Sequence, residues 1–344
     1  MAVFEHLEFD NHEQVVFCKD EKTGLKALIA IHSTKLGPAL GGCRMWDYAN
    51  EEEALTDVLR LSKGMTYKAA VAGLGLGGGK SVIIGDAKKI KSEALFRAFG
   101  RFVDSLSGRY LTAEDVNIRV ADMAHIAKET KHYTGAAEGS GDPSPVTALG
   151  VFHGLRAGVK HLYKQENLQD IKVAIQGCGN VGSYLAGHLH EAGAKLFVCD
   201  MAPEKTAALK ERYGAEIVGL DAIHKLDVDV YAPCALGGSL NDDSIPEIKA
   251  KIVCGGANNQ LLDESIHGKK LQEAGILYAP DYVVNAGGIM NCFREIKGYD
   301  EATAKEKAKG IYDTTLEVFR RSEEKGITPH EASNEMARER LSSP

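Results

Sequence analysis

Two lysines and one aspartate in the first third of the chain have suitable types for acid–base chemistry on an amine or a water molecule. Lys80 ends a glycine-rich run that starts at Gly73, Lys68 lies a short segment earlier, and Asp115 follows a predicted strand. A poorly solvated lysine near a second cation has its pKa lowered from ~10.4 towards ~7–8, where it can act as a general base. Lys68 would supply that second charge and bind an anion such as a carboxylate, and Asp115 would carry protons. Spacing alone does not show that the three residues converge, and the alternative for each is a surface residue or a helix cap.

The glycine run before Lys80 is similar to a phosphate-binding loop but lacks two of its requirements. The pattern G-x-x-x-x-G-K-[ST] needs glycine at position 74, where the chain has Leu74. A helix must follow such a loop, whereas residues 81–84 favour a short buried strand. A nucleoside triphosphatase is therefore disfavoured, and we expect the glycines to let the backbone crowd a small substrate.

The segment Lys172–Gln176 and the glycines after it form the strongest local motif. Gly177, Gly179 and Gly182 fit the pattern G-x-G-x-x-G between a buried apolar strand and a helix. Such glycines allow a tight turn, close approach of the backbone to a pyrophosphate, and close packing of the helix on the strand. Asp200, at the end of the next predicted strand, would bind the ribose hydroxyls of NAD and repel the 2′-phosphate of NADP. The motif predicts NAD as the cofactor, and the alternative is a tight turn in an α/β domain that binds no dinucleotide.

The elements that must position these groups indicate an α/β protein of two domains with a cleft between them. Residues 1–134 mix strands and helices, with a helix predicted over 51–65 and capped by Asn50. Later in the chain, short apolar strands alternate with helices, which indicates a parallel, Rossmann-type sheet. The segment 135–145 is rich in Gly, Pro and Ser and is the expected hinge. We therefore expect a catalytic domain over 1–134 and a dinucleotide-binding domain over 135–324.

Composition and charge argue against several classes of function. The 344 residues carry 41 Lys plus Arg against 48 Asp plus Glu, a net charge of −7, so no basic surface for nucleic acid is indicated. No apolar stretch reaches the ~18–20 residues that span a bilayer, and the N-terminus lacks a basic signal region. The cysteines are scattered without a C-x-x-C pair, and the histidines show no ligand spacing. We expect a cytoplasmic enzyme with no metal, no nucleic acid and no membrane partner.

Eight motifs follow one another along the chain: GPALGGCRMW, LSKGMTYKAAVAGLGLGGGKSVIIGD, GRYLTAEDV, GDPSPVTALGV, QGCGNVG, APCALGG, GGANNQL and APDYVVNAGG. Together they resemble the amino acid dehydrogenases that act on glutamate, leucine, phenylalanine and valine, with the greatest likeness to the leucine-acting members. The resemblance implies reversible oxidative deamination of an amino acid, with NAD, to a 2-oxo acid, ammonia and NADH. It also implies a homo-oligomer whose subunits associate through the first domain. It further implies that the C-terminal helix, 325–344, packs back on that domain.

The resemblance assigns roles to individual residues. It implies that Lys80 is the general base, that Asp115 transfers its proton, and that Lys68 binds the substrate carboxylate. The backbone at Gly41 and Gly42 would assist Lys68. The implied cofactor contacts, besides the glycine turn, are Asn180, Val181, Thr147, Asp200, Cys234, Ala235 and Asn259, the last of which would lie between cofactor and substrate.

Four residues would form the pocket for the substrate side chain. By resemblance these are Leu40, Ala113, Ile289 and Cys292, and none of them is charged. A glutamate γ-carboxylate would therefore lack a partner, at a cost of several kcal/mol. Aromatic-specific members of the family tend to carry glycine at the position of Ala113, so leucine, isoleucine and valine are favoured, without a ranking among them. The alternatives are a phenylalanine or other aromatic enzyme on the same scaffold, and an NAD-binding protein without catalytic activity.

Overall fold

A computed structural model describes residues 3–135, 141–298 and 300–342 of the chain. The expected hinge at 135–145 includes residues 136–140, which lie outside the described part. The chain divides into two compact units, each described below by itself. Unit 1 comprises Met1–Gly141, Glu295–Gly298 and Ala337–Pro344, and unit 2 comprises Asp142–Arg294 and Tyr299–Met336.

Unit 1 is a mixed sheet with helices on both faces. Among the described residues the strands lie side by side in the order β1 (Gln14–Asp20), β2 (Leu25–Ser33), β4 (Gly77–Ile84), β3 (Ala39–Trp46) and β5 (Tyr110–Glu114). The β1–β2 and β2–β4 pairings are antiparallel, and β3 pairs in parallel with both β4 and β5. The elements are β1 (Gln14–Asp20), β2 (Leu25–Ser33), β3 (Ala39–Trp46), α1 (Glu51–Val71), β4 (Gly77–Ile84), α2 (Ala87–Ile90), α3 (Glu93–Ser105), β5 (Tyr110–Glu114) and α4 (Val120–Ile126).

Strand β2 shows why the sheet is covered on both sides. Its side chains alternate between the two faces, and those of both faces are buried. Leu28 and Ala30 join one core with Leu55 and other residues of α1, while Ile29 belongs to a second core with α3. A strand that is buried on both faces has a nearly continuous run of apolar residues in its sequence, and the segment LKALIAIH is such a run.

Helix α1 begins as predicted and ends later than predicted. The side chain of Asn50 accepts a hydrogen bond from the backbone N–H of Glu53, so the predicted cap is confirmed. The helix does not stop at residue 65 but continues to Val71, which places Lys68 in its last turn rather than after its end. The exposed Gly64 lowers the helix propensity just before the predicted end. The helix continues because residues after it, Thr66 among them, are buried against the rest of the unit.

Strand β4 begins at Gly77, inside the glycine run and four residues before the strand predicted at residues 81–84. Its glycines lie close to protein atoms on both faces of the sheet. A Cβ on Gly77 would lie 1.9 Å from the carbonyl oxygen of Ser33, and one on Gly78 would lie 2.0 Å from the backbone nitrogen of Thr66. The absence of side chains is what lets α1 and β2 approach this strand so closely.

Unit 2 is a parallel α/β sheet. Among the described residues its strands lie side by side in the order β11 (Leu277–Tyr278), β10 (Ile252–Val253), β9 (Val230–Pro233), β6 (Lys172–Gln176), β7 (Lys195–Cys199) and β8 (Glu216–Ile217). Counted from the other edge, this is the doubly wound order 3-2-1-4-5-6. The Rossmann-type sheet predicted from the alternation of strands and helices is present. The elements are α5 (Ser144–Tyr163), β6 (Lys172–Gln176), α6 (Asn180–Glu191), β7 (Lys195–Cys199), α7 (Pro203–Tyr213), β8 (Glu216–Ile217), β9 (Val230–Pro233), β10 (Ile252–Val253), α8 (Glu264–Glu273), β11 (Leu277–Tyr278) and α9 (Asp281–Val284).

Four helices complete the chain: α10 (Gly287–Lys297), α11 (Glu301–Lys309), α12 (Ile311–Lys325) and α13 (Pro329–Ser342). The periodicity of residues 301–325 predicts one helix, and the structure has two, because the chain is interrupted at Gly310. The last residues of α13 belong to unit 1, where the Arg340 guanidinium donates a 2.9 Å hydrogen bond to the carbonyl of Ala70 at the end of α1. No helix of the described residues is long and apolar enough to cross a membrane.

A pair of glycine substitutions tests the close packing of α1 on β4. Gly78→Ala forces a Cβ against the backbone of Thr66, so we expect a loss of about 1–3 kcal/mol in the free energy of unfolding. Gly64→Ala, in the exposed middle of the same helix, meets no atom within 4 Å and should gain about 0.5–1 kcal/mol. Urea unfolding of both variants measures the difference, and equal effects of the two changes would contradict this packing.

Candidate active site

Lys80 and Asp115 form a buried ion pair in unit 1. Lys80 is the fourth residue of β4, only 8% of its side chain is exposed, and its Nζ lies 2.7 Å from Oδ2 of Asp115. Asp115 directly follows β5, so the pair reaches across the intervening strand β3. Gly42 of β3 leaves room for this contact, because a Cβ there would lie 2.8 Å from the Cβ of Asp115. The structure thus brings together two of the three residues that the sequence singled out for acid–base chemistry.

The pair continues into a chain of alternating charges. Nε of Arg44, on β3, lies 3.3 Å from the same Oδ2 of Asp115. Nη1 of Arg44 lies 2.9 and 3.2 Å from the two carboxylate oxygens of Asp57 on α1. The hydroxyl of Tyr48 donates a 2.6 Å hydrogen bond to Asp57. Lys80, Asp115, Arg44 and Asp57 therefore alternate in sign, and their formal charges sum to zero.

This environment fixes the protonation state of Asp115. Burial alone would raise the pKa of the Asp115 carboxyl, but the nearby charges of Lys80 and Arg44 outweigh it and hold the pKa below its usual range. Burial and the neighbouring Asp57 raise the pKa of the Tyr48 hydroxyl, so Tyr48 stays a neutral donor. Asp115 is thus an ionised acceptor for Lys80 in the neutral range, and a quarter of its side chain is exposed to solvent.

Four of the other residues predicted for the substrate, Leu40, Gly41, Gly42 and Ala113, lie on the same sheet. Leu40 pairs with Gly78 across β3 and β4, and Gly42 pairs with Ala113 across β3 and β5, so both side chains share the sheet face of Lys80. Helix α1, which carries Lys68, packs on that face through Thr66. The carbonyl of Gly41 accepts a 2.6 Å hydrogen bond from Tyr110, and a Cβ on Gly41 would lie 1.7 Å from the carbonyl oxygen of Gly79.

The predicted glycine turn connects β6 to α6 in unit 2. Gly177 has φ of +100°, and a Cβ on Gly182 would lie 2.0 Å from the carbonyl oxygen of Gly177, so both are required by the turn itself. Gly179 caps α6 without a side-chain hydrogen bond, and a Cβ there would meet no atom within 4 Å. The open space at Gly179 and the uncapped N–H groups of Asn180 and Val181 fit the pyrophosphate of a dinucleotide.

Asp200 is held by backbone groups at the end of β7. Its Oδ2 accepts a 2.7 Å hydrogen bond from the N–H of Cys178 in the glycine turn, and its Oδ1 accepts one of 2.9 Å from Ala202. Burial raises the pKa of the Asp200 carboxyl, but these two N–H groups and Lys205 outweigh burial and lower it. The side chain is therefore ionised at neutral pH and anchors the turn, a structural role that the sequence motif did not indicate.

Three further residues predicted to contact the cofactor lie in the segments that follow the carboxyl ends of the parallel strands β9 and β10. Cys234 follows β9, and its N–H donates a 2.7 Å hydrogen bond to the carbonyl of Gln176 at the end of β6. Ala235 lies against Gly177. Asn259 has φ of +52°, and its carbonyl accepts a hydrogen bond from Gly238. Ligands of doubly wound sheets bind at such strand ends where the strand order reverses.

Thr147, Ile289 and Cys292 lie close together in unit 2. Thr147 is in the first turn of α5, where its hydroxyl donates to the carbonyl of Pro143. A Cβ on Gly287 would lie 2.8 Å from the backbone nitrogen of Thr147, which puts the start of α10 against that turn. Ile289 is buried and Cys292 half-buried on the same helix. The helix that carries Ile289 and Cys292 therefore begins against the turn that contains Thr147, a predicted cofactor contact.

Two sequence profiles of one protein family match the chain. The profile described as "Glu/Leu/Phe/Val dehydrogenase, dimerisation domain" matches residues 12–132. The profile described as "Glutamate/Leucine/Phenylalanine/Valine dehydrogenase" matches residues 139–201 and 200–343. The chain belongs to the Glu/Leu/Phe/Val dehydrogenase family.

Relatives with different substrates share about half of its residues. The chain is 52% identical to a leucine dehydrogenase of Geobacillus stearothermophilus, over 99% of this chain and 94% of that protein. It is 50% identical to a valine dehydrogenase of Streptomyces virginiae, over 98% and 96% of the two chains. The crystal structure of L-tryptophan dehydrogenase from Nostoc punctiforme is 48% identical and superposes with a TM-score of 0.88 over 96% of each chain. The expected two-domain α/β fold and amino acid dehydrogenase activity are thereby confirmed for this family member.

Sequence reasoning about this dehydrogenase missed Arg44, Asp57 and Tyr48. Arg44 lies inside the motif GPALGGCRMW, and Tyr48 follows it closely, so a signal was present next to the predicted Gly41 and Gly42. An arginine in a strand that is otherwise buried needs a carboxylate partner, which is a reason to look for one. Its partners lie on other elements, and only the folded sheet identifies them.

A substitution at Asp200 tests its anchoring of the dehydrogenase's glycine turn. Asp200→Ala leaves the N–H groups of Cys178 and Ala202 without their acceptor, and we expect a loss of about 1–2 kcal/mol in the free energy of unfolding. Asp200→Asn retains one acceptor oxygen and should lose less. The exposed Asp221→Ala is the matched control, and urea unfolding is the measurement. An Asp200→Ala variant as stable as that control would contradict the anchoring role.

Proposed function

We propose that this enzyme catalyses the reversible, NAD-dependent oxidative deamination of branched-chain L-amino acids: leucine, with valine and isoleucine. The reaction converts the amino acid, NAD⁺ and water into the 2-oxo acid, ammonia, NADH and a proton. The observation that carries the proposal is the buried Lys80–Asp115 pair, because a lysine in contact with a carboxylate that reaches solvent is equipped to exchange protons. Identity of 50–52% to leucine and valine dehydrogenases supports the substrate class.

In the proposed reaction, each side chain of unit 1 has a separate task. Lys68 binds the substrate carboxylate, assisted by the backbone at Gly41 and Gly42. Lys80 removes a proton from the water that adds to the imine carbon, and ammonia then leaves to give the 2-oxo acid. Asp115 takes that proton from Lys80 and passes it to solvent, for which its quarter-exposed carboxylate is suited. The ammonium of Lys80 also stabilises negative charge that develops on the substrate oxygen.

The glycine turn of unit 2 supports NAD as the cofactor. Gly177, Gly179 and Gly182, with Asn180 and Val181, would hold the pyrophosphate, and the remaining contacts would come from Thr147, Cys234, Ala235 and Asn259. NAD, when bound, accepts a hydride from the substrate Cα and so oxidises the amine to an imine. The ionised Asp200 would bind the ribose hydroxyls and repel the additional phosphate of NADP.

None of the four residues proposed for the substrate side-chain pocket is charged. Leu40, Ala113 and Ile289 are buried aliphatic residues, and Cys292 is half-buried. A γ-carboxylate would be left unpaired among them, which disfavours glutamate. An aromatic substrate is the second candidate, because the tryptophan dehydrogenase of Nostoc punctiforme is nearly as similar to this chain as the leucine dehydrogenase is.

We further propose that the enzyme is a homo-oligomer located in the cytoplasm. The match of residues 12–132 to a dimerisation domain supports assembly through unit 1. The seven cysteines, all of them among the described residues, form no disulfide, and five of them are buried, which suits a reducing compartment.

A substrate panel tests the proposed function. The enzyme is mixed at alkaline pH with NAD and, in turn, leucine, valine, isoleucine, phenylalanine, tryptophan and glutamate, and NADH absorbance is followed. We expect turnover with the three branched-chain amino acids and little with glutamate. In the same assay Lys80→Ala should lose most turnover, at least ~100-fold, because the reaction loses its general base.

Two controls make that outcome specific. NADH binding to Lys80→Ala, followed by fluorescence, should match the wild type, and the exposed Lys88→Ala should keep full turnover. No NADH from any amino acid would refute the proposed function, and near-normal turnover of Lys80→Ala would refute the assignment of the base.

Enlarging the proposed pocket separates the two substrate candidates. Ala113→Gly removes a methyl group from a position that is 8% exposed. If the wild type favours branched-chain substrates, the ratio of kcat/KM for phenylalanine to kcat/KM for leucine should be about tenfold higher in the variant. This is roughly the discrimination that one methylene group provides. Steady-state kinetics with both substrates measure the ratio, and an unchanged ratio would remove Ala113 from the pocket.

A further inference from the structure

Two cations in unit 1 share one oxygen atom of Asp115. Nζ of Lys80 lies 2.7 Å and Nε of Arg44 lies 3.3 Å from Oδ2 of that carboxylate. A proton that passes from Lys80 to this oxygen must therefore move onto an atom that Arg44 already contacts. The positive charge of Arg44 opposes that protonation, so it acts directly on the group that accepts the proton of the proposed base.

Arg44 is itself partly neutralised and rigidly held. Nη1 contacts both carboxylate oxygens of Asp57, and Tyr48 donates to the same carboxylate. Arg44, Asp57 and Asp115 are each about three-quarters buried, so water screens these charges less than it would at the surface. The planar guanidinium joins the two carboxylates in a fixed geometry that a lysine would not reproduce.

We propose that Arg44 is a positioning residue that sets the protonation of the Lys80–Asp115 pair through Asp115 Oδ2, and that Asp57 moderates this effect. The inference rests on the proposed function, in which Lys80 is the general base. Removal of Arg44 makes the pair hold its protons more tightly, and removal of the Asp57 charge makes the pair hold them less tightly.

Other titratable groups near this pair remain neutral in the working range. Cys43 on β3 is fully buried, and burial raises its pKa to about 12. Tyr110 on β5 is also fully buried, and burial raises the pKa of its hydroxyl well above the usual range. The pKa of Tyr48 is raised in the same way. The charges of Lys80 on β4 and Arg44 on β3 lower the pKa of Asp115, and Asp57 on α1 forms an ion pair with that same Arg44.

The pH dependence of catalysis tests the proposal. For the wild type with leucine and NAD, kcat/KM should rise with pH as the pair loses a proton. In Arg44→Gln that rise should move to higher pH by about 0.5–1 unit, because a cation next to the pair is gone. In Asp57→Asn it should move to lower pH, because the charge of Arg44 is no longer compensated. The opposite signs identify an electrostatic effect, since a merely structural role would move neither profile or both in one direction.

Two further variants separate charge from geometry. Arg44→Lys keeps the charge but not the planar fork, so kcat should fall several-fold while the profile moves by less than about 0.3 unit. Arg109→Gln is the matched control, because it removes an arginine from an exposed pair with Glu13 at the opposite end of β5. The profile of that control should coincide with that of the wild type. Shifts of the same sign in Arg44→Gln and Asp57→Asn, or no shift in either, would overturn the proposal.

A measurement without turnover distinguishes failure of this inference from failure of the proposed function. In protein labelled with ¹³C at the lysine Cε, the resonance of Lys80 is assigned by its loss in Lys80→Ala and titrated in each variant. The same opposite shifts for Arg44→Gln and Asp57→Asn are expected there even if no amino acid supports NADH formation. If one variant does not fold, the sign of the shift in the other decides, and unchanged titration curves in the folded variants would overturn the role of Arg44.

Discussion

The contact between Lys80 and Asp115 is the interaction on which the rest of unit 1 depends. A lysine whose side chain is only 8% exposed is strongly destabilising unless an anion faces its ammonium group, and Asp115 is that anion. The Asp115 carboxylate is itself partly desolvated and forms a second ion pair with Arg44, and Arg44 forms an ion pair with Asp57. The burial of one lysine in the middle of a strand thus explains the presence of three further charged residues on three other elements.

Glycine makes this pair sterically possible. Gly42 leaves space for Asp115, Gly41 and Gly79 bring β3 and β4 into close contact, and Gly78 lets α1 lie on the strand that carries Lys80. The same residue type thus serves two purposes in this chain. In unit 1 it allows backbone to pack on backbone and charged side chains to meet, whereas at Gly179 in unit 2 it leaves a helix terminus open. Clustered glycines in a sequence therefore indicate that other atoms come close to the backbone, but not whether those atoms belong to the protein or to a ligand.

The limits of prediction from the sequence follow from this distinction. The strand–turn–helix at Gly177 and the cap at Asn50 were predictable, because each depends on neighbours within a few residues. Three glycines in succession have low strand propensity, and only contacts with β2, β3 and α1 make residues 77–79 a strand, so β4 could not be delimited from its own residues. The Arg44–Asp115 contact joins residues 71 positions apart. Periodicity carries no information about such a pair, although an arginine in a buried strand signals that a partner exists.

Substrate choice depends on much less of the molecule than the acid–base chemistry does. Leucine, valine and tryptophan dehydrogenases all share about half of their residues with this chain, so overall similarity does not separate their substrates. A charged substrate side chain would be strongly disfavoured in the proposed pocket, because burying an unpaired charge costs far more free energy than adding or removing a methylene group. Among uncharged residues such as Leu40 and Ala113, each methylene discriminates by only ~1–3 kcal/mol. We therefore expect the proposed pocket to discriminate against glutamate more strongly than it discriminates among leucine, isoleucine and valine.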